Sequence, residues 1–208
     1  MEPILTHVTP HKSWLRSLIR GRTRIGLAWV FAFALLFLSR KPPALPGMAL
    51  CFVGACLRVW ASGFLRKDAA PSVGGPYGLT RNPLYLGTYL MAVGTAWAVE
   101  NLWLFLAASI LFAGIYHFII LEEEEKLREI FGPAYLRYLD SVPRFFPRPW
   151  PPKAAVLDTI NPQRAQRRFD WTLAKKNRAH EPLVSFAGLM ALVWLVSLAW
   201  NYLTAASH

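Results

Sequence analysis

Residues 102–121 read LWLFLAASILFAGIYHFIIL and run straight into Glu122-Glu123-Glu124-Glu125-Lys126-Leu127-Arg128-Glu129-Ile130-Phe131. The first 20 of these hold no Asp, Glu, Lys or Arg, which is the length a helix needs to cross a hydrocarbon layer ~30 Å thick. Four further apolar runs surround it, at 25–39, 43–65, 84–99 and 183–203. Those at 25–39 and 84–99 have about 15 residues, or ~22 Å of helix, so they span only with snorkelling flanks or a thinned bilayer. Composition agrees. Of 208 residues, 54% are hydrophobic and 17% charged, against ~25% charged in soluble domains. An ordinary soluble globule and a disordered chain are both excluded, and the fold expected is an all-α integral membrane protein with about five transmembrane helices.

The net charge of +11 would, in a soluble protein, point to nucleic acid. Sorted by loop, the 23 basic residues describe a membrane topology instead. Five lie in the arm 1–24 (Lys12, Arg16, Arg20, Arg22, Arg24), two at 40–42, three in 66–83, none at 100–101 and twelve in 122–182. With five spans this puts 20 on the side of the N-terminus and 2 on the other, with Arg58 inside the second run. The positive-inside rule then expects a multi-pass protein of the bacterial inner membrane or endoplasmic reticulum, N-terminus cytoplasmic and C-terminus outside. Glu2, Pro10, His11 and the lack of a small-residue cleavage site speak against a cleavable signal peptide. The expected organisation is a basic arm at 1–24, a membrane core at 25–152, a basic juxtamembrane segment at 153–182 and an additional transmembrane helix at 183–208. Arg164, Arg167, Arg168, Lys175, Lys176 and Arg178, set among Phe169 and Trp171, suit anionic lipid headgroups at ~1 kcal/mol each, so no nucleic-acid partner is expected. Cys51 and Cys56 cannot make a disulfide framework and read as buried small hydrophobes.

Polar chemistry concentrates in two places that this topology puts on one face. Ser72-Val73-Gly74-Gly75-Pro76-Tyr77-Gly78 and Leu79-Thr80-Arg81-Asn82-Pro83-Leu84-Tyr85-Leu86-Gly87 form an irregular loop opening a helix, with Asn82 as N-cap and Pro83 at the first helical position. The second place is the glutamate run. Its members are 100° apart, so at least one faces the bundle whatever the rotation. Glu122 can pair with Lys126 and Glu124 with Arg128, leaving Glu123 and Glu125 free to bind a cation. Gly132-Pro133 stops that helix. Tyr135, Leu136, Tyr138, Leu139 and Val142 then recur at helical spacing before Pro143-Arg144-Phe145-Phe146-Pro147-Arg148-Pro149-Trp150, an amphipathic stretch suited to lie on the headgroups and roof a site.

Gly75-Pro76-Tyr77, Arg81-Asn82-Pro83-Leu84-Tyr85-Leu86-Gly87, the paired glutamates, Phe131-Gly132, Tyr135, Tyr138 and Val142-Pro143-Arg144-Phe145 together resemble the integral-membrane methyltransferases. This is the superfamily of isoprenylcysteine carboxyl methyltransferases and phospholipid N-methyltransferases, whose members show GPY…RHPxYxG and, a helical hairpin later, EE…FG…Y…Y…VxRF. The likeness covers about residues 56–147. It implies S-adenosylmethionine (SAM) in a cytoplasm-facing pocket and a lipophilic methyl acceptor from the bilayer, a prenylcysteine carboxylate, a phospholipid or another lipid-like molecule. It further implies cofactor contacts at Tyr77, Asn82, Pro83, Leu84, Tyr85, Gly87, Glu123 and Glu124, catalytic roles for Glu123 and Arg81, and no metal. Arg144 is implied on the substrate side. Arg58 either snorkels or meets a ligand, and His117 is either structural or on the substrate side. Two positions depart from the pattern. Asn82 replaces the usual histidine and cannot act as a base, and Ile119 stands where the carboxyl methyltransferases have a carboxylate-binding arginine. An NADPH enzyme like the sterol reductases and a non-catalytic binding protein of the same fold are the competing readings.

Overall fold

The computed structural model describes residues 22–66 and 71–206, so most of the basic arm and Lys67 lie outside the described residues. All five apolar runs are helical. They form α1 (Arg22–Leu38), α2 (Leu45–Ser62), α3 (Pro83–Ala98), α4 (Leu102–Phe131) and α8 (Glu181–Ala205). Between α4 and α8 lie three short helices, α5 (Pro133–Ser141), α6 (Ala154–Ile160) and α7 (Trp171–Lys176). Among the described residues, three helices, α2, α4 and α8, are long and apolar enough to cross a membrane. At 17 and 16 residues, α1 and α3 reach ~25 Å, short of the hydrocarbon thickness. Apolar side chains such as Phe33, Phe37, Trp103, Ile110, Val184 and Leu195 stand exposed on these helices. A surface of that kind needs a bilayer, and the chain is an integral membrane protein.

The tightest contact is between α2 and α3, which run antiparallel. Each carries two glycines seven residues apart, Gly47 and Gly54 on one and Gly87 and Gly94 on the other. A Cβ on Gly54 would lie 2.6 Å from the Gly87 carbonyl oxygen, and one on Gly87 2.8 Å from the Gly54 carbonyl oxygen. The backbones therefore touch, which is how helices associate where lipid removes the hydrophobic drive. Gly47 and Gly94 make the same close approach to Ala98 and Cys51 at the far end. Cys51 is buried beside Thr95 at 3.5 Å, whereas Cys56 is exposed. The expectation of two buried thiols fails at Cys56, which falls on the outer side of α2, away from the α3 contact.

The last helix is not a detached anchor. Val193 of α8 packs with Leu35, Ala96 and Leu104, and Met190 packs with Cys51 and Ala98, so α8 closes a bundle of α1, α2, α3 and α4. Arg40 lies over the Trp200 ring, 4.7 Å from its centroid, a cation–π contact where α1 ends.

Segment 153–182 also folds back onto the bundle. Asn177 donates from its amide to the carbonyls of Ser62 and Leu65, both at 2.9 Å, and so satisfies carbonyls at the end of α2. Phe169 packs edge-on to Phe64 at 5.7 Å and fills the space over Gly63. Asp158 binds Arg164 and Arg167, and Asp170 binds Arg66 at 3.3 Å. With Arg178 paired to Glu181 at 2.8 Å, three of the basic residues expected to face lipid headgroups, Arg164, Arg167 and Arg178, are engaged by acids of the chain itself.

Replacing Gly54 by Val is expected to destabilise the detergent-solubilised protein by about 1–3 kcal/mol. Gly114, with nothing within 4 Å of a built Cβ, is the matched control. Thermal unfolding of both variants reads the difference.

Candidate active site

The site lies where α2 ends and α3 begins. Gly75–Gly78 makes a 3₁₀ turn whose Tyr77 is buried. Asn82 precedes Pro83 at the head of α3 as expected, but its side chain makes no capping bond. Its amide donates instead to the Arg144 carbonyl at 2.9 Å. That bond belongs to a seam between two segments over 60 residues apart. Arg81 N–H donates to the Pro143 carbonyl at 2.9 Å, Arg148 N–H to the Leu79 carbonyl at 3.0 Å, and the Thr80 hydroxyl to the Phe145 carbonyl at 2.9 Å. Tyr138 of α5 donates to the Tyr77 carbonyl at 2.7 Å. Residues 143–148 thus serve loop 79–82 as a second strand serves a first, without forming a sheet.

Helix α4 has 30 residues, ~45 Å, so its glutamates stand beyond the length that fills a bilayer. The glutamate facing the bundle is Glu124, 3% exposed. It does not pair with Arg128. Arg144 grips it with Nε at 3.2 Å and Nη2 at 2.9 Å, and Arg81 reaches it at 3.4 Å. The i,i+4 expectation fails because two arginines from the seam reach the carboxylate from the side that excludes water, where a charge contact is stronger. Glu123, one step round, is exposed and accepts a bond from the Tyr85 hydroxyl at 2.8 Å.

These groups enclose a cavity of about 620 Å³, a size typical of small-molecule sites. Tyr77, Arg81, Asn82, Pro83, Leu84 and Tyr85 line it from one motif, and Glu123 and Glu124 from the other. Arg58 also lines it. Gly87, His117 and Arg144 do not. Gly87 meets Gly54 and the stem of Arg58, His117 is exposed beside Phe118, and Arg144 acts on the cavity through Glu124. Sequence reasoning missed Arg66, Thr88 and Tyr116. Tyr116 had a signal, because it lies seven residues, two helical turns, before Glu123 and so shares its face. Thr88 and Arg66 had none, since only the α2–α3 crossing and the fold-back of Asp170 bring them here.

The donor set suits a nucleoside with both charges. Tyr77 Oη and Arg81 Nε are buried without a hydrogen-bond partner, a costly state that a polar ligand relieves. Burial, reinforced by Glu123, pushes the Tyr77 phenol well above its ordinary value, so it remains a neutral donor. Among the described residues, no three His, Cys, Asp or Glu converge as a metal site.

Glu124→Gln is expected to destabilise by about 3 kcal/mol, within the range for breaking a buried pair, because it strands Arg81 beside an uncharged amide. Exposed Glu125→Gln should fall within ~0.5 kcal/mol of wild type. Thermal unfolding in detergent compares them.

Residues 44–134 match the family model for phospholipid methyltransferases. Two curated relatives are similar over 136 residues, 64% of this chain. The cobalt-zinc-cadmium resistance protein CzcN of Cupriavidus metallidurans is 31% identical, and the nickel-cobalt-cadmium resistance protein NccN of Alcaligenes xylosoxydans xylosoxydans 30% identical. The chain spans 58% and 59% of their respective lengths. No solved structure matches it. The matched segment holds both polar motifs and the α2–α3 crossing, and it is this segment, residues 44–134, that matches the phospholipid methyltransferase domain of the wider superfamily of membrane methyltransferases.

Proposed function

We propose that the chain is a SAM-dependent methyltransferase of the membrane that modifies a lipophilic acceptor. The observation carrying this is the convergence of both family motifs on one cavity at the end of apolar helices, with a buried phenol and guanidinium nitrogen unpartnered in its wall. Glu123 offers a carboxylate to the ammonium or the ribose hydroxyls of SAM, and the Tyr85 hydroxyl at 2.8 Å fixes its direction. Arg81 and Arg66 offer guanidinium donors to its carboxylate, and the faces of Tyr116, Tyr85 and Tyr135 suit an adenine and a sulfonium. Bound there, the cofactor supplies an electrophilic methyl group for in-line displacement, the electron pair of the breaking carbon–sulfur bond staying on sulfur. The chain supplies alignment and exclusion of water. Where the acceptor atom must shed a proton, Glu123 is the cavity carboxylate not already held by arginine. Asn82 takes no part in that step, because an amide cannot act as a base and this one is bonded to the Arg144 carbonyl. The same reading takes α1 and α3 as spans, five in all, and sets the cavity on the cytoplasmic face, in keeping with the distribution of basic residues.

Purified protein in neutral detergent is expected to bind SAM saturably. Glu123→Gln should weaken binding at least tenfold, the ~1.5–3 kcal/mol of a hydrogen bond to a charged group, and Tyr85→Phe several-fold. Binding of NADPH but not SAM would overturn the proposal in favour of a reductase. Binding of SAM without methyl transfer to any lipid fraction would leave a binding protein.

A further inference from the structure

One wall of the cavity is held by a distant part of the chain. Leu65, Arg66, Pro71 and Ser72 line it between the end of α2 and the Gly75–Gly78 turn, inside the segment 44–134 that matches the family model. Their partners come from 161–177, outside that segment. The Asn177 amide donates to the Leu65 carbonyl at 2.9 Å, the Asn161 amide donates to the Pro71 carbonyl at 3.3 Å, and Asp170 takes the Arg66 side chain.

Of these partners Asp170 is the one that carries charge, and it is itself fixed in place. Its backbone N–H donates to the Gly63 carbonyl at 3.1 Å. Its Oδ1 accepts from the N–H groups of Thr172 and Leu173, at 2.9 and 3.2 Å, and so caps α7. That cap uses one carboxylate oxygen. The other, Oδ2, accepts from Arg66 Nη2 at 3.3 Å. Arg66 is tied in turn through its backbone N–H, which donates to the Ser72 hydroxyl oxygen at 3.0 Å.

The pair leaves most of the guanidinium uncommitted. Arg66 has five N–H donors, and among the described residues its side chain has no hydrogen-bond partner besides Asp170. Its Nε is buried with no partner, a costly state that a ligand relieves. Arg81 differs, because it is closed against Glu124 with side chains 10% and 4% exposed, whereas those of Arg66 and Asp170 are 30% and 38% exposed. A carboxylate entering the cavity therefore finds Arg66 the more open of the two. An arginine held beforehand in one orientation also loses less side-chain freedom when it binds.

We propose that Asp170 is a positioning residue of the cofactor site, holding Arg66 so that its remaining donors take the amino-acid carboxylate of SAM. Cofactor recognition then depends on a part of the chain outside the matched segment. This deepens the methyltransferase reading and rests on it. Stability alone gives little reason for the pair, since a half-exposed ion pair contributes little and the cap of α7 needs only one of the two oxygens.

The test titrates full-length protein in neutral detergent with SAM and with decarboxylated SAM, which keeps the nucleoside, sulfonium and amine and lacks the carboxylate. Wild type is expected to bind SAM about tenfold more tightly than the decarboxylated form, in the range of a hydrogen bond to a charged group. Arg66→Gln should remove that preference. In Asp170→Asn the single amide oxygen can cap α7 or face Arg66 but not both, so SAM affinity should fall about fivefold while that for decarboxylated SAM stays within about twofold. The double variant should be no weaker than Arg66→Gln alone, because the two residues act as one unit. Equal binding of both ligands by wild type overturns the proposal without any substitution. An equal loss for both ligands in Asp170→Asn also overturns it, by giving the residue a purely structural role, as does unchanged SAM affinity in that variant. Binding of neither ligand by wild type strikes the methyltransferase reading and this proposal with it.

Discussion

Everything at the candidate site depends on one buried carboxylate. Glu124 is 3% exposed and bonded to Arg144 and Arg81, which come from segments on either side of the α3–α4 hairpin. A charge removed from water must be matched, so neither arginine can leave without stranding the acid. The loop opening α3, the exit of α4 and the segment after α5 are thereby held at one point. The backbone N–H bonds of Arg81 and Arg148 and the side-chain amide bond of Asn82 complete the same closure. Glu123 is left one helical step away, turned to the cavity mouth with its own partner in Tyr85. Two neighbouring glutamates of identical chemistry thus take different surroundings, one buried between arginines and one exposed at the cavity, and only their angle on the helix separates them.

Beneath that closure, the bundle supplies a rigid floor. Glycines in register let α2 and α3 touch backbone to backbone, and the same close approach lays Arg58 along α3. From above, α5 contributes Tyr135 and Tyr138 to a buried cluster with Val73, Val142 and Ile160. The fold-back through Asn161, Phe169, Asp170 and Asn177 steadies Ser62, Phe64, Leu65, Arg66 and Pro71, some of which line the cavity. That fold-back lies beyond the residues that match the family model; none of its described residues lines the cavity itself, and it acts through residues that do, such as Arg66.

Much of this was legible from residues alone. The apolar runs became helices, because stretches of about 15 to 20 residues with almost no charge have no other way to satisfy their backbone in lipid. Motif spacing placed eight of the named residues on one cavity, since tight turns and helix starts depend on local glycine and proline chemistry. Less was legible where a partner lies far away in the chain. Asn82 stands at the helix start as its neighbours dictate, yet its amide goes to Arg144. Glu124 has a local partner available in Arg128 and takes two distant ones. Gly87, read as a cofactor contact, meets a helix. The basic segment at 153–182 looked like a plain electrostatic tether, and three of its cations are bound by the chain's own acids.

The sequence by itself determined an all-helical membrane protein, the two polar motifs and the family chemistry they imply, because hydropathy, helical period and turn propensity act over a few residues. Tertiary structure alone decided which glutamate is buried, which glycines are contact surface, and that Arg66 meets Asp170 at the cavity wall. Those outcomes turn on how α2 and α3 cross and on what closes over them. Such contacts join residues tens of positions apart, and no local periodicity carries them.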